Sequence, residues 1–269
     1  MIQIIAFLAI ILTVAFVIKR YSKKITIKEM SLTAILLSIA LLLTLFSINT
    51  FFLGGQVVIR FSQLALILLG ASLGPIYATI AGLGFDILNL LIFPLGAPYI
   101  GFTLNNIWVG LFAALVFKFF KDKENKTVFK AMLFTVSLYA TYIIVVLLLF
   151  ISQKSLLQLV DELTFNAIKN IVFATILVLL IVAGIFLFVK RQKKTKIKLS
   201  KDLMMIIISA TLVEFIVQGF FTPIWLYDLA KTPILISMQI RALKGGLMVF
   251  LNSFVGYAVY KVIIKRLVK

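Results

Sequence analysis

Apolar runs long enough to cross a bilayer recur along this chain, each closed by a short cluster of basic or turn-forming residues. Residues 2–18 form the first, followed by Lys19-Arg20-Tyr21-Ser22-Lys23-Lys24. Residues 31–50 form the second, and Phe51-Phe52-Leu53-Gly54-Gly55-Gln56 reads as a glycine-broken loop. Arg60-Phe61-Ser62-Gln63 opens a short span to Leu73, Gly74-Pro75 turns the chain, and 76–93 carries it back. A loop rich in proline and glycine leads into 101–120. Spans over 129–151 and 165–190 follow, joined by a loop with Asp161 and Glu162, and 203–221 and 238–262 complete the set. About 20 residues of α-helix cross a ~30 Å hydrocarbon core. The pattern predicts an all-α integral membrane protein of nine spans. The first run lacks a basic leader and a small-x-small cleavage site, so it reads as a retained helix and not a signal peptide.

Charge then orients the spans. Lysine and arginine number 27 against 9 acidic residues, a formal charge of +18, in a chain that is 63% hydrophobic with mean hydropathy +1.18. The basic residues cluster at 19–28, 118–130, 190–201 and 261–269, always between or after apolar spans. That is the positive-inside distribution and not a nucleic-acid surface, and it places the N-terminus outside and the C-terminus in the cytoplasm. The chain has no cysteine and no histidine, which removes disulfides, thiol chemistry and the usual zinc or haem sites. Walker A, nucleophile-elbow and HExxH patterns are absent as well, so the reading is of a protein that is not an enzyme, with no metal and no cofactor.

Candidate chemistry lies where polar residues interrupt the spans. Arg241, Lys244, Met248 and Asn252 fall on one helix face, over about 16 Å of rise. Charges at that depth cost several kcal/mol unless they face a cavity or a partner, and the alternative is snorkelling to the near interface. Trp225 and Tyr227, just before, read as aromatic lids in the loop Thr222-Pro223-Ile224-Trp225-Leu226-Tyr227-Asp228. Asp86 lies one turn before Asn89, below the loop at 93–101, and suits either a ligand or an ion pair with Arg241 or Lys244. Glu214, with Gln218 four residues on, needs Arg241, Lys244 or Lys169 as partner. Arg60 sits at a helix end, where snorkelling is cheap, and Asn105 and Asn106 either cap their helix or face the pocket. Gly70-x3-Gly74 reads as internal packing. Ser31, Ala34 and Ser38 form a small-residue stripe that suits internal packing or a docked partner helix equally.

The motif Phe93-Pro94-x-Gly96, then Gly101-Phe102-Thr103-Leu104 and Gly110, with Asp86 before it, resembles the substrate-binding S components of energy-coupling factor vitamin transporters, folate type. Trp225-Leu226, Arg241-x-x-Lys244, Gln218 and Asn252 add to the likeness, which covers roughly 31–120 and 201–265. Thr44-Leu45 stand where that family has an arginine, and Phe250 where it has a proline. The resemblance implies a six-helix core of 31–50, 60–73, 76–93, 102–120, 203–221 and 238–262, with 2–18, 129–151 and 165–190 as peripheral additions. It divides one membrane domain into an extra N-terminal helix and linker (1–30), four core helices (31–122), an inserted pair (123–200) and two last core helices (201–269).

The implied function is a multi-pass subunit of the bacterial cell membrane that binds folate or a related pterin and delivers it inward. Its partners would be a transmembrane coupling subunit, docked on Ser31, Ala34 and Ser38, two ATP-binding subunits and the lipid bilayer. Arg241 or Lys244 would hold the ligand's carboxylate; Trp225, Tyr99 or Phe102 its flat ring; and Asp86, Asn105 or Gln218 its polar edge, with Arg60 and Asn252 alongside. The alternatives are an S component for another vitamin or a nucleobase, or an autonomous H⁺- or Na⁺-coupled transporter working through Asp86 and Glu214.

Overall fold

The computed structural model describes residues 2–22, 25–52, 55–93, 98–152 and 199–264. Its elements run α1 (Ile2–Tyr21), α2 (Ile27–Leu45), β1 (Ile48–Phe52), β2 (Gly55–Ile59), α3 (Ser62–Leu73), α4 (Pro75–Ile92), α5 (Ile100–Phe120) and α6 (Asn125–Ser152). Then come α7 (Lys201–Leu212), a π-helical segment (Val213–Phe221), α8 (Thr222–Ala230), α9 (Ile234–Val259) and a closing π-helical turn (Tyr260–Ile264). Among the described residues seven helical rods are long and apolar enough to span a membrane, and α3 is an eighth, shorter apolar helix. The expected span at 165–190 lies outside the described residues. What stands is a multi-pass, mostly helical membrane protein, with seven full-length spans among the described residues.

Helix α5 is the axis of the bundle. Gly70 of α3 meets the carbonyl of Gly110 where its own Cβ would be, and a Cβ on Gly82 of α4 would lie 2.5 Å from the Ile107 Cα. Glycine therefore lets three backbones touch, which dispersion and close packing reward inside a bilayer. The packing role expected of Gly70 holds, with Gly110 as its counterpart. Gly74, at φ +92°, makes the turn that Pro75 converts into the start of α4. Helix α3 rises only about 18 Å over its 12 residues, too little to cross the core, and nine of the 12 are buried.

Helix α1, by contrast, buries only Ala6 and Val17 and turns Ile4, Leu8 and Leu12 outward. Helix α2 begins at Ile27, earlier than the pattern suggested, because Thr26 caps it: the Glu29 N–H donates to Thr26 Oγ1 at 3.3 Å, that hydroxyl donates to Glu29 Oε2 at 2.8 Å, and the Thr26 N–H donates to the Tyr77 hydroxyl at 3.3 Å. It stops at Leu45, and Ile48 to Ile59 fold into an antiparallel hairpin with Ile48 opposite Ile59. The expected helix to residue 50 and plain loop beyond it are thus replaced by two strands.

The segment expected as a loop at 222–237 is mostly helix α8. Pro223 removes an N–H and would clash with the carbonyl four residues back. The π-helical segment absorbs this by widening the preceding turns, and the Thr222 N–H reaches the Val217 carbonyl. The Gly219 carbonyl, which residue 223 would have taken in an α-helix, instead accepts from the Tyr142 hydroxyl at 3.0 Å. Helix α6 is therefore built into the bundle and is no peripheral addition.

Two glycines separate packing from helix propensity. Gly82→Val should abolish recovery of folded protein or lower its thermal midpoint sharply, because backbone atoms cannot give way. Gly246→Ala meets nothing within 4 Å and should be neutral or stabilise by about 0.5–1 kcal/mol, read from thermal denaturation in detergent.

Candidate functional site

Two polar centres form around α5 and α9. The first is the charge cluster. Glu214, in the π-helical segment, is 2% exposed, and neither of its carboxylate oxygens accepts a hydrogen bond. Lys244 and then Arg241 compensate its charge. Arg241 Nη1 donates to Gln218 Oε1 at 2.9 Å, while its Nε is buried with no partner. Lys244 Nζ donates to the Val58 carbonyl at 2.8 Å, tying the hairpin to α9. Arg60 stands within electrostatic reach of Arg241 and Lys244, and its attraction is to Asp86. Among the described residues, three half-buried cations thus lie near two buried carboxylates.

Helix α6 closes this cluster. Tyr139 and Tyr142 stack with ring centroids 6.1 Å apart and 16° between planes. The Tyr139 hydroxyl occupies the place of a side chain on Gly245, whose Cβ would also lie 3.4 Å from Glu214 Oε2. Only glycine at 245 lets α6 and the π-helical segment close on α9 here.

Asp86 has its own partners. Thr103 Oγ1 donates to it at 2.6 Å and Asn106 Nδ2 at 2.8 Å, both from α5. A direct ion pair with Arg241 or Lys244, one of the two expectations for Asp86, is replaced by these neutral donors with Arg60 as the compensating charge. Asn105 and Asn106 are not caps, because α5 starts at Ile100 and both sit buried in its second turn. Asn105 Nδ2 donates to Thr222 Oγ1 at 2.9 Å, and Thr222 Oγ1 donates to the Val217 carbonyl at 2.8 Å.

The second centre is aromatic. The Trp225 indole N–H donates to Asn105 Oδ1 at 3.0 Å, and the ring is 4% exposed. It is a buried wedge between Tyr99 and Phe221, not a lid. Phe102 packs on Tyr99 at 5.7 Å. The Tyr99 hydroxyl donates to Asp228 at 2.8 Å, and burial and then that carboxylate push its phenol above the ordinary range. Helix α1 lies against this centre through Ala6, and its Thr13 accepts from the Trp108 indole at 3.3 Å. Only its outward face fits the peripheral role expected of it.

The expected site residues therefore divide. Arg241, Lys244, Gln218 and Arg60 join Glu214 in one cluster; Trp225, Tyr99, Phe102 and Asn105 form the other; Asp86 bridges toward Arg60. Asn252 lies buried further along α9, its Nδ2 without a partner. Ser31, Ala34 and Ser38 are all exposed, and Ser38 Oγ donates to the Ala34 carbonyl at 2.9 Å. Lys169, Pro94 and Gly96 lie outside the described residues. Tyr139, Tyr142, Thr103 and the Val58 carbonyl were not singled out from the sequence. Only the pairing of Pro223 with a tyrosine-bearing apolar span could have hinted at the first two.

The fold defines a multi-pass helical membrane protein whose bundle closes over a charge cluster. Residues 14–193 match the family described as 5TMR of 5TMR-LYT, and the chain belongs to that family, five-helix membrane receptors of the LytS type associated with histidine-kinase signalling. No curated protein and no solved structure matches the chain. Five described helices, α2 to α6, lie wholly within the matched residues, and α7 to α9 lie beyond them. This overturns the vitamin-transporter resemblance and the folate-uptake function drawn from it. The match runs through α6 and the 165–190 stretch, the very segments that the transporter core could not accommodate.

The charge cluster makes a clean cycle. Glu214→Gln should lower the thermal midpoint, because it removes the charge that offsets Lys244 and Arg241. Adding Lys244→Met should recover most of that loss in a thermal or denaturant titration. Equal stability of Glu214→Gln and wild type would show that the carboxylate carries no compensating charge.

Proposed function

We propose that this chain is a membrane-embedded sensor domain of the bacterial plasma membrane that binds a small anionic ligand at the Arg60–Arg241–Lys244 cluster. The observation that carries the reading is an imbalance of charge among the described residues: three half-buried cations face two buried carboxylates, one of them already held by Thr103 and Asn106. Buried cations without full compensation are costly, and an anion binding among them lowers that cost. Membership of a receptor family supports a sensing role over a transport one. The domain runs with its N-terminus outside and its four basic segments in the cytoplasm. It performs no catalysis and needs no cofactor.

The hydrogen bonds suggest how occupancy is reported. An anion reaching Lys244 competes with the Val58 carbonyl, and one reaching Arg241 competes with Gln218. The first exchange frees the hairpin; the second acts on the π-helical segment. That segment continues α7, whose Lys201 Nζ donates to the carbonyls of Lys121 and Lys123 at 2.5 and 2.6 Å. A shift at the cluster therefore reaches the basic face along one helical rod. With no histidine in the chain, a phosphoacceptor has to be supplied by another segment or another protein.

Trp108 and Trp225, the chain's two tryptophans, both sit in the aromatic centre that follows the π-helical segment, so intrinsic fluorescence reports on it. Titrating the purified chain in nanodiscs with small carboxylates and phosphates should yield a saturable fluorescence change with at least one of them. Arg241→Ala should weaken that response about tenfold or more, since a hydrogen bond to a charged group contributes about 1.5–3 kcal/mol. A response unchanged in Arg241→Ala, or no response to any anion, would sink the proposal.

A further inference from the structure

A cleft of about 470 Å³ opens between α1, α5 and α7, away from the charge cluster. Its mouth holds Arg20, the penultimate residue of α1, and Lys118, in the last turn of α5. The Lys118 ammonium lies 4.0 Å above the Tyr21 ring, a cation–π contact that fixes its position. Among the described residues that line the cleft there is no carboxylate. Below the mouth the walls are apolar: Phe112 and Leu115 from α5, and Leu212 from α7. Phe112 stands six residues from Lys118, about 9 Å along the helix, and Leu212 about 16 Å from the start of α7 at Lys201. The cleft therefore runs from paired cations at the basic face down into the hydrocarbon depth.

We propose that this cleft is a binding site for an anionic phospholipid, the phosphate held between Arg20 and Lys118 and one acyl chain laid along Phe112, Leu115 and Leu212. Charge and depth both select that occupant. A free phosphate would use the mouth and leave about a dozen ångströms of apolar wall wet, and a zwitterionic lipid would bring its own ammonium beside the two cations. Basic pockets between transmembrane helices at the basic face recognise lipid headgroups in this way. The site joins α1 to α5 and α7, so a bound lipid would clamp the outer helix to the rod that leads from the charge cluster.

Native mass spectrometry of the full chain, loaded with phosphatidylglycerol or phosphatidylcholine of identical acyl chains, tests this. Wild type should retain phosphatidylglycerol on the order of tenfold over phosphatidylcholine. Arg20→Gln with Lys118→Gln should bring the two lipids level, and Leu212→Trp should lower retention of both by filling the apolar wall. Lys126→Gln with Lys130→Gln removes the same charge from α6, outside the cleft, and should leave the preference intact. Equal retention of both lipids by wild type overturns the proposal, and so does an equal loss from the α6 pair, which would assign the preference to surface charge at large. Circular dichroism of each variant keeps a folding failure distinct from a lost site.

Discussion

Keeping ionised side chains inside a low-dielectric bundle is the constraint on which the rest of this structure depends. A charge at bilayer depth costs several kcal/mol unless compensated, and this chain buries Asp86 and Glu214 beside the cations Arg60, Arg241 and Lys244. Each neighbouring feature answers that demand. Gly245 makes room for Tyr139 against Glu214, the π-helical segment sets Gln218 against Arg241, and the hairpin lends the Val58 carbonyl to Lys244. Thr103 and Asn106 satisfy Asp86 from the central helix.

The same constraint links the two centres. Gln218 and Thr222 are one turn apart, the first holding Arg241 and the second holding Asn105, which in turn holds Trp225. A rearrangement of the π-helical segment cannot move one without the other. π-helical turns are rare and are frequently found at functional sites, and here one turn serves both centres.

The transporter resemblance failed for a physical reason. Its motifs were glycines, prolines and an aspartate at set distances, and those residues recur wherever membrane helices cross closely. Gly101, for instance, leaves space for the Trp225 ring, and Gly110 for α3. Both are packing requirements of this bundle, and neither demands a vitamin. The receptor family accounts for α6, which supplies Tyr139 and Tyr142 to the charge cluster; the transporter reading had set that helix aside.

By itself the sequence determined the class, a multi-pass helical membrane protein, and most of its apolar spans, because these follow from local hydropathy. It also marked Arg241, Lys244, Glu214 and Gln218 as residues in need of partners, since a buried charge is visible as an interruption in an apolar run. Which partners they took was decided only in three dimensions. Pro223 read as a loop because a proline ends an α-helix, yet a widened turn and the Tyr142 hydroxyl carry the helix past it. Residues 48–50 read as the end of a helix and 51–59 as loop because one strand of a short hairpin has no amphipathic signature, and its pairing and its contact with Lys244 exist only across the fold. Trp225 read as a lid because an aromatic beside cations suits a ligand, but Asn105, 120 residues earlier in the chain, fills that role. Hydropathy is a property of neighbours in sequence, whereas compensation of buried charge depends on residues brought together by packing, and that is where the two parted.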